Sequence, residues 1–303
     1  MNNKNFEWLD FFDCFNCKKK LELCDPTEAT VFCKECRQEF ILTESGLPII
    51  IKDIKPIKEE IETRGKDKEY WFNDDQVQKM LEGAWRHVFK QRCEYWKEIL
   101  SKKLSDESVI MDFGCGDGAN FSILKTLPHK KLIGFDYNLL RLEKAKKYEG
   151  SAEYLVMGNI FEDLLKEQSF DMIFCNHVVE HIEDDQKILD LFYKYLKPGG
   201  ELFLGVPNEG SVICTIRDKA IQPGLREKTD HVNFYTAKTI SELVQNSKFE
   251  NIKTKNLGFV FPHTFIDKKL KSFKPTHDLL SMTAEKLFKS QSDSIYLSAN
   301  KQS

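Results

Sequence analysis

The sequence predicts an α/β protein with a doubly wound, mainly parallel sheet, preceded by a small stapled segment. Three observations carry that reading. From residue 109 onward, short apolar runs alternate with amphipathic helical patterns. A glycine cluster, "IMDFGCGDGAN" at 110–120, stands where the first of those runs should hand over to a helix. Four of the nine cysteines fall in two C-x2-C pairs before residue 37. At 303 residues the chain can bury a substantial core. Its net charge of −3 gives no whole-chain attraction for nucleic acid or anionic lipid. No apolar stretch approaches a membrane span, and "MNNKNFEWLDFF" lacks the basic and apolar regions of a leader, so the expectation is a cytoplasmic protein.

The N-terminal pairs are Cys14-x2-Cys17 and, fifteen residues on, Cys33-x2-Cys36. That is the spacing of a four-thiolate zinc site with tight knuckles at the turns of two hairpins. Chance cysteines or disulfides are the alternatives, and a reducing compartment disfavours disulfides. Cys24, between the pairs, is a spare or a substitute ligand. So short a segment cannot build a sufficient core, so Zn2+ would supply much of its folding free energy as a structural staple. "FILTESGLPIII" then reads as strand, glycine turn and apolar strand. Residues 51–70 carry six basic and six acidic side chains with little apolar content. They mark a charged linker at 53–69, between a ribbon domain over 1–52 and a larger domain over 70–303. Across 70–104 apolar and aromatic residues recur at helical spacing, giving one or two amphipathic helices. Their tryptophans suit core anchors better than a stacking platform.

From there "VIMDFG" is a strand, "ANFSILKTL" a helix, "KLIGFD" a strand, "NLLRLEKAKK" a helix and "AEYLVMG" the third strand. "FDMIFC" is the fourth, "DQKILDLFYKYL" a helix and "GELFLGVP" the fifth. Such alternation implies a parallel sheet covered on both faces. Ligands of these sheets bind outside the carboxyl ends of strands, where the glycines sit. Gly114-x-Gly116-x-x-Ala119 satisfies a dinucleotide pattern, so a nicotinamide or flavin site is one alternative. Asp136, ending the second strand, suits a ribose diol in either case. Two features favour a different ligand. Asp112 would repel a pyrophosphate but attract an ammonium group, and Gly118 leaves a third gap for a bulky uncharged body. Ribose, adenine and an amino-acid tail together describe S-adenosylmethionine.

Residues 109–206, and less strongly 231–299, resemble the class I S-adenosylmethionine-dependent methyltransferases. The resembling elements are "MDFGCGDG", "GFDYN", "GNI", "FCNHVVEHIEDD" and "LKPGGELFLGVPN", in family order and spacing. The resemblance implies a Rossmann-like, seven-stranded sheet whose last strand, "DSIYLSAN", is antiparallel. It implies that Gly114, Gly116 and Gly118 admit the methionine and ribose portions and that Asp136 takes the ribose hydroxyls. Tyr137 would pack near the adenine. Asn159 stands where the family commonly has an acid and would bond adenine through its amide, with Ile160 beside it. Asn176 and His177 would line the mouth at the fourth strand. Arg92 is a candidate for the cofactor carboxylate, weighed against an ordinary surface arginine of a helix.

A sulfonium methyl is already activated, so catalysis is mainly in-line positioning. A hydroxyl nucleophile must also lose a proton, and a histidine is the usual helper. His231, in "DHVNFY", ranks first as that base, followed by His177 and His181; His181 could instead cap the next helix or anchor a turn. Glu180, His181, Glu183 and Asp184 could hold a divalent cation, as in relatives resembling the ubiquinone-pathway O-methyltransferases, though a solvated acidic turn is favoured. Insertions near 207–235 and 260–290 would enclose the cleft, which suggests O-methylation of a small acceptor such as a sugar or other metabolite. An RNA base methyltransferase is the first alternative, because a four-cysteine ribbon before a class I domain resembles the rRNA guanine methyltransferases. Against it stand the acidic net charge, the absence of an Asn-Pro-Pro-Tyr element, and the balance of Lys18, Lys19 and Lys20 by Glu22, Asp25 and Glu28. The second alternative is a non-catalytic protein that docks a partner through its ribbon, as zinc-ribbon activators of tRNA methyltransferases do. The intact glycine motif argues against it. Oligomeric state is not legible.

Overall fold

Four short strands come first: β1 (Leu21–Asp25), β2 (Thr30–Cys33), β3 (Glu39–Leu42) and β4 (Pro48–Ile50), followed by helices α1 (Gln76–Leu81) and α2 (Arg86–Leu100). The alternating region is β5 (Val109–Phe113), α3 (Phe121–Leu124), β6 (Lys131–Asp136), α4 (Leu139–Lys147), β7 (Tyr154–Gly158), β8 (Phe170–Asn176), α5 (Asp185–Tyr195) and β9 (Leu196–Pro207). It continues through α6 (Val212–Ile216), α7 (Ala237–Asn246), β10 (Glu250–Leu257), α8 (Thr264–Ser272), α9 (Lys274–Leu287) and β11 (Ser294–Asn300). This computed structural model describes residues 3–25, 30–53, 55–56, 59, 76–82, 85–148 and 151–303. Most of the expected linker at 53–69, and Trp71 after it, lie outside the described residues. The expected strands all form. The helix expected in "ANFSILKTL" is a single turn, stopped short of Pro128.

The chain divides into two units, Met1–Val77 with Leu104–Asp171, and Gln78–Lys103 with Met172–Ser303. In the first, the strand order is β1-β2-β3-β4-β7-β6-β5. β5, β6 and β7 run parallel, as the alternation requires. β5 is buried along its whole length, the pattern of a strand covered on both faces. Phe135 on β6 stacks with Phe113 at 5.6 Å and with Phe12 at 6.4 Å. The second unit carries β9, β11 and β10 side by side, with β11 antiparallel to both neighbours as expected. Trp96 is fully buried there, edge-on to Phe89, Phe174 and Tyr296. It is a core anchor, as its helical spacing suggested.

The expectation of seven strands needs correction. Eleven form among the described residues, because β1 to β4 are not confined to a separate ribbon sheet. β4 pairs parallel with β7, Ile49 opposite Met157 and Ile50 opposite Gly158. The physical reason is the edge. A parallel sheet ending at β7 would expose a row of unpaired N–H and C=O groups, and the apolar β4 covers them.

Candidate functional site

In the first unit, the chain leaves β5 through three left-handed glycines: Gly114 (φ 70°), Gly116 (φ 54°) and Gly118 (φ 87°). A side chain at Gly118 would be strained by that φ, and its Cβ would also stand 2.6 Å from the ring of Phe121. The turn is tied to β6. Gly114 N–H donates to the Phe135 carbonyl at 2.8 Å, and Gly116 N–H donates to Asp136 Oδ2 at 2.8 Å. Asp136 Oδ1 accepts from Asn138 N–H at 2.7 Å. Burial raises the Asp136 carboxyl above its ordinary range, partly offset by Arg141 and these two N–H groups. Asp112 is fully buried, with Asn120 Nδ2 3.4 Å from both its oxygens, and burial pushes its carboxyl well up. Tyr137 is exposed and Ile160 buried. Asn159 starts the short helical turn Ile160–Glu162, its Oδ1 accepting from Phe161 N–H at 3.0 Å, which leaves its amide nitrogen as the donor.

The four cysteines Cys14, Cys17, Cys33 and Cys36 also lie in this unit, each offering a sulfur within 4.8 Å of the others. Cys14 and Cys36 sulfurs are 3.4 Å apart, Cys17 and Cys33 sulfurs 3.3 Å. These separations are too long for disulfides and near the roughly 3.8 Å between ligands of a tetrahedral Zn–S site. Both knuckles close in the same way. Cys14 N–H donates to Lys19 O at 2.9 Å and Lys18 N–H to Cys14 O at 2.8 Å; Cys33 N–H donates to Gln38 O at 2.9 Å and Arg37 N–H to Cys33 O at 2.8 Å. The residue after each second cysteine is left-handed, Lys18 (φ 57°) and Arg37 (φ 58°). The side chain of Cys24 lies outside the described residues.

In the second unit, β8 ends at Asn176 and His177, followed by a helical turn at Val179–His181. His177 holds φ 55°, uncommon for a residue with a Cβ, and its N–H donates to Gly205 O at 2.8 Å. A Cβ on Gly205 would stand 2.4 Å from Asn176 Oδ1, so the glycine makes room for Asn176. Glu180 is fully buried, and neither carboxylate oxygen has a hydrogen-bond partner among the described residues. His177 Nδ1 approaches Glu180 Oε1 at 3.3 Å as an ion-pair contact. His177 Nε2 and Asn176 Oδ1 are also buried without partners.

The insertion after β9 folds back onto this turn. Val232 and Asn233 N–H groups donate to the Glu180 carbonyl at 2.8 and 3.0 Å, and Asn233 Nδ2 donates to Ile182 O at 2.7 Å. His231 thereby comes edge-on to His181, ring centroids 4.7 Å apart. Each histidine has its own acid: His231 Nδ1 lies 2.6 Å from Glu209 Oε2, and His181 Nδ1 3.2 Å from Asp230 Oδ2. Burial disfavours charge on both rings, yet the acids prevail. Asp230 and Glu180 hold the His181 pKa above its ordinary value, and Glu209 and Glu180 do so for His231. A cavity of about 240 Å³ adjoins Glu209, lined also by Arg217, Arg226, Lys228, Phe234 and Thr264. Arg217 and Arg226 share Asp218 at 2.7 and 2.8 Å.

Two expectations change here. Glu180, His181 and His231 can each direct a ligand atom to a common point, whereas Asp184 caps α5 by accepting from Lys187 N–H at 3.2 Å. Arg92 is neither on the surface nor free for a carboxylate. It is buried, donates to Ser294 Oγ at 2.7 Å and faces Asp293 at 3.8 Å. Glu209 and Asp230 escaped sequence reasoning. Asp230 adjoins His231, but nothing in the sequence shows that it partners His181 instead.

Residues 84–254 match a family described as "Methyltransferase domain". A ubiquinone biosynthesis O-methyltransferase of Xylella fastidiosa is 30% identical over 115 residues, 37% of this chain and 47% of that protein. A tRNA U34 carboxymethyltransferase of a Sulfurovum species is 30% identical over 121 residues, 37% of this chain and 39% of that one. The chain thus spans less than half the length of these curated relatives. Among solved structures, a chain of the complex of the Haloferax volcanii Trm112 methyltransferase activator superposes with a TM-score of 0.53 at 16% identity, over 77% of this chain and 96% of that chain. That likeness shows the fold.

The paired histidines set a pH dependence. A pKa raised on folding contributes stability that is complete below the unfolded value and lost as pH rises through the folded one. Glu209→Gln should therefore lower the His231 pKa and cost more stability near about pH 6 than near about pH 8. A histidine NMR titration paired with urea unfolding at both pH values checks this. An unchanged His231 titration would remove the pair from the account.

Proposed function

The chain belongs to the methyltransferase-domain family, and we propose that it moves the methyl group of S-adenosylmethionine to a hydroxyl oxygen of a small acceptor. The observation that carries the oxygen assignment is the His231–Glu209 pair, placed by the Glu180 carbonyl beside the end of β8. The cofactor residues fit the group. Asp112, buried with Asn120 alone, is an acid that a cationic amino group would keep ionised. Asp136 spends one lone pair of each oxygen on the turn and retains others for a ribose diol. The Asn159 amide nitrogen is the donor left for adenine, with Tyr137 and Ile160 as the proposed neighbours of the ring. Gly114, Gly116 and Gly118 let the backbone approach. Asn176 and His177 contribute buried, unpartnered polar atoms at the β8 end.

S-adenosylmethionine brings an electrophilic methyl; the chain supplies position and a proton acceptor. With Nδ1 donating to Glu209, His231 presents Nε2 as its basic nitrogen. His231 Nε2 would take the acceptor's O–H proton while the methyl leaves the cofactor's sulfur for that oxygen, and Glu209 would stabilise the imidazolium formed. His181 and Asp230 form the adjoining wall. The adjoining cavity is lined by Lys228 and by Arg217 and Arg226, which share Asp218. Cys14, Cys17, Cys33 and Cys36 would hold a structural Zn2+ through four thiolates. The Sulfurovum relative's name favours RNA as a second substrate class. The first reading is preferred because three of the basic residues near the knuckles are paired, Lys18 with Asp163, Lys20 with Asp10 and Lys34 with Glu22.

Labelled methyl transfer to a fractionated metabolite extract and to total RNA tests the reading. His231→Ala should lower turnover by roughly 10²- to 10⁴-fold, with cofactor affinity nearly unchanged. In the wild type, turnover should rise with pH through a pKa above the ordinary histidine value of about 6.5, and that limb should vanish in the variant. Near-normal turnover in His231→Ala would defeat the assignment. For the ribbon, elemental analysis should find zinc bound by the purified chain and lost in Cys14→Ser with Cys33→Ser; a zinc-free wild type would contradict the metal.

A further inference from the structure

Among the described residues, twelve of the sixteen exposed large apolar side chains lie between residues 212 and 288. Helices α8 and α9 concentrate them in an inverted arrangement. The sides turned to the protein carry Asp267, Lys271, His277, Ser281 and Ala284. Phe265, Phe273, Leu279, Met282, Leu287 and Phe288 point outward, each between 50% and 71% exposed. A surface helix ordinarily does the reverse.

The inversion is held in place by charge. Lys271 reaches Asp267 at 2.8 Å and Asp293 at 3.1 Å, and Asp293 also faces Arg92. On α9, Glu285 bonds Gln91 at 2.9 Å and Lys255 at 3.0 Å. Rolling the helices to bury their apolar stripe would strip partners from buried ions, at about 3–5 kcal/mol for each pair broken. The apolar side is therefore fixed outward.

Its charge identifies the occupant. Lys268, Lys269, Lys274 and Lys286 are exposed along the same two helices, with Lys289 just beyond, and Asp278 is the one exposed acid among them. This cationic, aromatic face sits on a chain whose net charge is −3. None of the described helices is long and apolar enough to cross a membrane. A second copy of the chain would set these lysines against one another across a two-fold contact. We propose that α8 and α9 form a docking element for an anionic bilayer surface, the apolar side chains entering the interface and the lysines lying at headgroup level. This goes beyond the methyl-transfer reading and stands without it.

The test is co-sedimentation of the full chain with vesicles of phosphatidylcholine and phosphatidylglycerol, against vesicles of phosphatidylcholine alone. The chain should pellet with the anionic vesicles and be released by salt. Lys268→Gln with Lys269→Gln should weaken partitioning by roughly 30-fold, and Leu279→Ser with Leu287→Ser should abolish it. Melting temperatures should hold, because these side chains are exposed. The proposal falls if the wild type ignores anionic vesicles or if both variants bind as it does. It falls equally if sedimentation velocity shows a homodimer that Leu279→Ser with Leu287→Ser dissolves while vesicle binding is absent.

Discussion

The candidate site of the second unit depends on Glu180. Its carbonyl receives two N–H groups of the insertion, and that is what brings His231 to the end of β8. Two such bonds contribute only about 1 kcal/mol each net, so they do not order the insertion alone. Asn233 on Ile182, and Tyr235 Oη on Asp185 at 2.7 Å, extend the seam. The Glu180 side chain acts in another way. It is fully buried, with neither oxygen hydrogen-bonded among the described residues. His177 touches it, and its field helps raise His181 and His231. One residue thus positions the candidate bases and, with Asp230 and Glu209, raises their pKa values.

Backbone strain occurs at both candidate sites, and at Asp163, Gln168, Lys248 and Asn251 elsewhere. Left-handed φ at a residue with a Cβ costs roughly 1–2 kcal/mol and persists where surroundings impose it. Lys18 and Arg37 pay it at the cysteine knuckles, and His177 at the end of β8. Glycine could occupy each position without strain. At His177 the retained side chain is the one that meets Glu180, which ties the strain to the site's electrostatics.

Much of the fold was legible because it is local. Apolar runs of strand length, the glycine turn and the paired C-x2-C spacing each express a short-range requirement, and β5, Gly118 and Cys14 appear as those requirements dictate. What escaped was long-range. Nothing in "PII" says that β4 will cover the edge of β7, over a hundred residues away. Arg92 has the spacing of a helix face, but its partners Asp293 and Ser294 come from the far end of the chain. Glu209 and Asp230 become partners of histidines only when the insertion closes. The apolar stripe of α8 and α9 lies in what the sequence showed only as an insertion near 260–290, and its outward side follows from buried ion pairs with distant residues.

The central claim is that the glycine turn and Asp136 receive S-adenosylmethionine and not a dinucleotide. Calorimetric titration of the intact chain with S-adenosylhomocysteine, and separately with NAD, tests it most directly. S-adenosylhomocysteine should bind and NAD should not. Asp136→Asn should weaken the former by about 1.5–3 kcal/mol, the range for hydrogen bonds to a charged group. Binding of NAD, or an Asp136→Asn variant with unchanged affinity for S-adenosylhomocysteine, would contradict it.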